Sequence, residues 1–240
     1  MIRFVSHCYA KNNYQYASFL KIQLESIKAA ANHTPGIDIV VCFCLEDAQT
    51  VNVINEYIDQ MGNVLIPLAM RDAELFRRSI GRNRATKLPT HSGDLPKFYW
   101  FTDVDYFFSP DIAIQVDTAY SSINREAILF YPNFGYIQRS HSEGDDLAKN
   151  VTGIPDVSTW KKKKHSRAIG GVQIVNGHWA RQNGYVPTGK WSKPRTDGKP
   201  FGDFQDDLAF RKIVEIPGIG LDIPGVYRCR HTCKTYGTSN

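Results

Sequence analysis

The chemistry this chain could perform is concentrated in Lys97 to Pro110, KFYWFTDVDYFFSP, where an aromatic run ends in Asp103-Val104-Asp105 and a second aromatic run follows. Two carboxylates two residues apart are common in solvated turns. Here the apolar flanks make them the polar tip of a buried strand, where carboxylates are costly unless they meet a cation or solvent. Strand ends are where open α/β sheets bind ligands. Hard oxygen ligands in such a position favour Mg2+ or Mn2+, which would bridge them to phosphate oxygens.

The remaining totals narrow the class. A chain of 240 residues with 42% hydrophobic and 12% aromatic content can bury one large α/β core. The longest apolar run considered, Ile37 to Leu45, has the length of a strand, far short of a membrane span. The first residues read directly into a strand without a signal-peptide core, so the expectation is a cytoplasmic protein with no membrane insertion. Cys8, Cys42, Cys44, Cys229 and Cys233 are odd in number and show no disulfide framework. Cys229-x-His231-x-Cys233 matches no common zinc module.

Charge is unevenly placed. Residues 161–199 hold ten Lys or Arg against the single acid Asp197, a local charge of +9; with +5 overall, the rest of the chain carries −4. Such a segment, beginning at Lys161-Lys162-Lys163-Lys164 and including Arg167, is either a solvated loop or a surface for an anionic partner.

The elements that must position these groups follow from periodicity. Strands are expected at 2–7, 37–45 and 64–69, with helices at 14–31 and 48–61 between them. Tyr16, Phe19, Leu20, Leu24 and Ile27 form the apolar stripe of the first helix. This β-α-β-α-β order predicts a parallel sheet. Residues 72–88 read as partly helical and rich in arginine, and the fourth strand then delivers Asp103 and Asp105. A short helix near 110–119 and a strand at 127–131 follow. The polar stretch 132–168 reads as a long loop or lid. Gly170-Gly171 opens a strand through Asn176, a helix turn covers 177–183, and 184–202 reads as basic loop. FGDFQDDLAFRKIV then forms a helix with Asp206 and Asp207 near its start, and short strands and turns make up the tail.

Taken together, the β-α-β-α-β half, Gly81-Arg82-Asn83, the strand ending FTDVD, the Gly170-Gly171 strand, the Asp206-Asp207-Leu208 helix and His231 resemble a GT-A glycosyltransferase. The resemblance implies a single domain over 1–240, with a Rossmann-like mixed sheet flanked by helices. Residues 1–110 would bind a nucleotide sugar and 111–240 an acceptor. It makes Asp103 and Asp105 the metal-binding DxD pair, with His231 as third ligand to Mn2+ or Mg2+, holding the donor diphosphate. Ser6, Tyr9 and Glu46 would meet base and ribose, and Arg82, Asn83, Gly170 and Gly171 would line the donor site. Asp206, or failing it Asp207, would deprotonate the acceptor hydroxyl. Inverting members usually show Glu-Asp here, so Gln205-Asp206-Asp207 is a departure, and acids are favourable at any helix start.

In that order the basic segment falls on the acceptor half, where Trp160, Trp179, Tyr185 and Trp191 interleave with its cations. Cations for phosphates and aromatics for stacking suit a nucleic-acid groove. The expected acceptor is therefore a polyanion, with a hydroxymethylated base in DNA foremost, flipped into the site. A phage-type DNA hydroxymethylpyrimidine transferase is the implied form, with Lys161–Lys164, Arg167 and Trp191 on the acceptor. The alternatives are a glycosyltransferase acting on a cell-surface glycan precursor, a nucleotidyltransferase, and a non-catalytic nucleic-acid-binding module.

Overall fold

The computed structural model describes residues 1–11, 15–90, 93–123, 127–195, 205–214 and 218–232. The first half alternates as expected: β1 (Ile2–His7), α1 (Gln15–His33), β2 (Ile37–Cys44), α2 (Ala48–Met61) and β3 (Leu65–Met70). Both β1 and β2 are buried along their full length, which is why they read as continuous apolar runs. Asp47 caps α2 by accepting from the Thr50 backbone N–H at 3.3 Å, and Gly62 ends the helix at a positive φ of 50°.

The arginine-rich stretch is two helices, α3 (Asp72–Leu75) and α4 (Arg78–Lys87). It leads into β4 (Phe98–Phe101), the Asp103–Asp105 turn, and β5 (Tyr106–Phe108). Next come α5 (Ile112–Ser121), β6 (Leu129–Pro132), β7 (Phe134–Ile137), α6 (His141–Lys149) and β8 (Lys161–Lys164). The chain continues through β9 (Gln173–Asn176), α7 (Gly177–Asn183), α8 (Gln205–Val214), β10 (Ile219–Leu221) and β11 (Val226–Arg228).

Seven strands form the main sheet in the order β10-β6-β9-β4-β1-β2-β3. Its pairings are parallel except at β9, which opposes β4 and β6. This is the expected mixed sheet flanked by helices. A second sheet, β5-β11-β7-β8, is added to it, and the turn bearing Asp103 and Asp105 is where the chain crosses from one sheet to the other. The core beneath is aromatic: Trp100 is fully buried, its ring stacked on Phe4 at 5.4 Å and edge-on to Phe108 at 4.8 Å.

The expected loop at 132–168 is corrected by the structure, because it contains β7, α6 and β8. Ser140 accepts from the Glu143 N–H while Glu143 Oε2 accepts from the Arg139 N–H at 3.0 Å, a helix-start pattern present in the sequence as Ser-x-x-Glu. The four lysines of β8 have low strand propensity, and their pairing with β7 overrides it. All four are exposed, and Lys162 lies over the Phe134 ring at 3.6 Å. Lysines on an edge strand also discourage pairing with another chain. The last helix begins at Gln205; Phe201 to Phe204 of the expected helix, and Cys233 of the Cys-x-His-x-Cys run, lie outside the described residues. Among the described residues, Cys8, Cys42, Cys44 and Cys229 are buried free thiols, and no helix is long and apolar enough to cross a membrane.

Candidate active site at the strand ends

The register places the site. Val5 of β1 pairs with Phe101 of β4, and Phe101 pairs with Gln173 of β9, so these three strand ends lie side by side. Gln23 of α1 fixes the turn that follows β4, donating from Nε2 to the carbonyls of Asp103 at 3.0 Å and Tyr106 at 2.8 Å.

The two aspartates face different partners. Asp103 keeps its side chain 27% exposed and accepts from Arg78 at 2.6 Å, with Arg82 at 4.0 Å. Asp105 is 2% exposed and accepts from Arg228 Nε at 3.0 Å, and His231 Nε2 stands 3.7 Å from the same oxygen. Burial pushes the Asp105 carboxyl up, but the charges of Arg228 and the neighbouring His231 outweigh it and hold the group below the usual carboxylate range. Burial opposes the charge of Arg78, and Asp103 and Asp207 more than offset it.

His231 packs against Tyr16 and Phe19, with ring centroids 5.7 and 4.9 Å away, and neither of its ring nitrogens has a hydrogen-bond partner among the described residues. A buried imidazole beside a buried carboxylate fits a divalent cation. Asp103 does not close a triad with them: among the described residues, the ligating atoms that gather within 4.8 Å belong to Cys44, Glu46 and Asp72. That cluster takes in Glu46 and touches Tyr9, whose hydroxyl lies 3.4 Å from Asp72. Burial, then Asp72, pushes the Tyr9 phenol up to about 12. Glu46 itself is 76% exposed, whereas Ser6 is buried within β1.

Arg82 is fully buried and does not face an open donor site. It donates to Asp207 at 3.1 Å, to the Tyr185 hydroxyl at 2.6 Å and to the Gly170 carbonyl at 2.8 Å. Asn83 is turned the other way, its amide bonded to the backbone of Tyr185 and Val186. The Gly170-Gly171 pair is there for close approach: a Cβ at Gly170 would overlap the Asp207 carboxylate, and one at Gly171 the Tyr106 ring.

The acidic pair divides. Asp207 is locked by Arg82 and by the Tyr185 hydroxyl at 2.9 Å; burial alone would raise its pKa, but Arg78 and Arg82 bring it below the usual range. Asp206 accepts from the Ser79 N–H at 3.1 Å at the start of α4, with Arg77 3.9 Å away. Burial raises its pKa despite that bond and the nearby arginines. Helix α4 is thus held at both ends, because Arg3, paired with Asp38 at 2.7 Å, donates to the Leu88 carbonyl at 2.8 Å.

The basic segment does not form one interleaved surface. Lys161–Lys164 lie on the second sheet and Arg167 is exposed beyond them, while Trp191 packs over Arg77 at 4.8 Å, on the α4 side. Tyr185 is fully buried on Phe210, Trp179 packs on Phe210, and Trp160 packs on Phe107 and Tyr227.

Sequence reasoning missed Gln23, Arg78 and Arg228. A polar residue on the buried stripe, between Phe19 and Ile27, is the signal that marks Gln23. Arg78 precedes Arg82 by one helical turn and shares its face. Nothing local marks Arg228, which reaches Asp105 across 123 residues.

No protein-family model matches the chain, and no curated protein matches it in sequence. Solved structures do match in shape. The chain superposes on S. aureus TarS with a TM-score of 0.51 at 10% identity, over 95% of this chain and 36% of that one, so it spans about a third of TarS. The fold is GT-A. The galactosyltransferase LgtC, in complex with donor and acceptor sugar analogs, matches with a TM-score of 0.45 at 12% identity, over 94% and 72% of the two chains. A 4-diphosphocytidyl-2C-methyl-D-erythritol synthase from Anaerococcus prevotii matches with a TM-score of 0.45 at 9% identity, over 96% and 88%.

Proposed function

We propose that the chain transfers a sugar from a nucleoside-diphosphate sugar to an acceptor hydroxyl. The observation that carries this reading is the buried Asp105 at the exit of β4, flanked by Arg228 and the buried His231. Asp105 and His231 would hold Mn2+ or Mg2+, with Asp103, two residues before Asp105, as a third ligand that does not gather with them in this structure. When bound, the cation would compensate the charge of the departing diphosphate. Arg78 and Arg228 supply fixed positive charge at the same place. Ser6, Tyr9 and Glu46, at the ends of β1 and β2, are proposed for base and ribose, which assigns residues 1–110 to the donor and 111–240 to the acceptor.

Asp206 is the proposed general base. Its raised pKa suits proton acceptance better than Asp207, whose Oδ1 is committed to both Arg82 and Tyr185. The acceptor is proposed to be anionic, on the strength of the exposed Lys161–Lys164 strand. A DNA acceptor keeps those lysines as its support but loses the stacking faces of Tyr185, Trp179 and Trp160 to the packing described above.

The test is thermal stability with Mn2+ and a panel of nucleoside diphosphates and nucleotide sugars. A metal-dependent rise in Tm that disappears in Asp105→Ala supports the reading. A flat response across the panel sinks it. Release of pyrophosphate in place of nucleoside diphosphate would assign a nucleotidyltransferase.

A further inference from the structure

Strand β11 ends at Arg228, so the ladder of the second sheet does not carry the chain that bears His231. Residues 229–232 are held by other groups. The Cys229 N–H donates to the Asp105 carbonyl at 2.8 Å. The Arg230 N–H donates to Gln138 Oε1 at 2.9 Å, in the segment just before α6. Thr232 gives two donors to Asp145 of α6: its N–H reaches Oδ1 at 3.1 Å and its hydroxyl reaches Oδ2 at 2.8 Å.

The same carboxylate ties in the start of α1, because Gln15 Nε2 donates to Asp145 Oδ1 at 2.9 Å. One position along that helix, Tyr16 meets the His231 ring, and Phe19 meets it from the next turn. His231 therefore has tethered backbone on both sides and α1 rings against its imidazole. Gly144, just before Asp145, lies inside α6, where glycine is unfavourable. Its φ is not positive, so the turn of the chain does not require it. Close approach does: a Cβ at Gly144 would overlap the Arg230 carbonyl oxygen.

We infer that Gly144 and Asp145 are positioning residues for His231, fixing where its imidazole stands relative to Asp105. The reason is geometric. His231 Nε2 lies 3.7 Å from Asp105 Oδ2, a separation at which one cation can contact both. Such a site tolerates displacements of only about 0.5 Å. Residues that orient metal ligands typically contribute about 10- to 100-fold in metal affinity. The inference rests on the proposed reading, in which His231 meets the metal. It gives α6 a part in that site although no α6 residue is proposed as a ligand.

The test is Mn2+ titration of the full chain with saturating UDP, following free Mn2+ by EPR, with pulsed EPR to detect imidazole nitrogen coupled to the bound ion. The wild type is expected to bind one Mn2+ with a nitrogen coupling that His231→Ala removes. Gly144→Ala and Asp145→Ala should each weaken Mn2+ by about tenfold or more and lose that coupling. Asp145→Asn keeps an oxygen acceptor without the charge, and should retain both the coupling and nearly full affinity. The Asp145 pair decides even where Gly144→Ala fails to fold. Wild-type affinity and coupling in Asp145→Ala would leave α6 a packing element and overturn the inference alone. A loss in Asp145→Asn equal to that in Asp145→Ala would assign the effect to charge and overturn it too. Bound Mn2+ without nitrogen coupling would remove His231 from the metal, and the inference with it, while leaving metal-dependent transfer standing. No Mn2+ binding by the wild type would end both.

Discussion

Arg228 donates from Nε to Asp105 Oδ2 at 3.0 Å, joining the last strand of the second sheet to the exit of the central strand of the first. That bond leaves the buried carboxylate charged and keeps a guanidinium where a diphosphate would leave. Arg228→Ala is expected to lower kcat of sugar transfer by roughly 100-fold, and Asp105→Asn to lower it as much and abolish the metal-dependent rise in Tm. Steady-state kinetics with varied Mn2+ checks both. An Arg228→Ala enzyme with unchanged kcat would show that the arginine only maintains the fold.

The acidic pair should separate under substitution. Asp206→Asn keeps an acceptor for the Ser79 N–H but removes the base, so kcat is expected to fall by about 10²- to 10⁴-fold with Tm nearly unchanged. Asp207→Asn takes from the buried Arg82 the nearer of its two counter-charges, a loss of about 3–5 kcal/mol of stability. Urea denaturation alongside kinetics distinguishes the two. Equal destabilisation by both would make Asp206 a helix cap alone.

Gln23 links α1 to the aspartate turn. Gln23→Leu leaves the Asp103 and Tyr106 carbonyls without their donor, at an expected cost of about 1–3 kcal/mol. Because the turn is then less firmly held, donor affinity should weaken as well. Titration of a nucleoside diphosphate into the variant would show it, and an unchanged affinity would confine Gln23 to folding.

His7, at the end of β1, is buried, and burial, then the charges of Arg82 and Arg78, push its pKa well down against a contact with the Arg78 backbone. The imidazole stays neutral in the folded state while the unfolded chain takes up a proton below about pH 6.5. Stability is therefore constant above that pH and falls below it, by up to about 1.4 kcal/mol per pH unit. Chemical denaturation from pH 8 to 5 should show that slope, and His7→Gln should remove it. An identical slope in His7→Gln would assign the titration elsewhere.

Glu74 titrates in the opposite sense. Its bonds to Arg84, strongest at 2.6 Å, lower its pKa to about 2 against the cost of burial. The stabilisation is full above the unfolded value of about 4.3 and is lost as pH falls towards 2. The difference in Tm between wild type and Glu74→Gln should accordingly shrink over that window.

The sequence by itself determined the alternating first half and the strand that ends in Asp103 and Asp105. Apolar runs, helical stripes and punctuating glycines act over a few residues, and those are the features a linear reading detects. The same reading missed α6 and β8, although Ser140-x-x-Glu143 was there to be seen, because polar composition outweighed a cap and β8 exists only through β7. Only the tertiary structure decided that Arg82 lies buried with Asp207, that Arg78 faces Asp103, and that the basic segment is split between the second sheet and α4. Those outcomes depend on which charges meet across 25 to 125 residues of chain, where desolvation and ion pairing act on distance in space and leave no local periodicity to read.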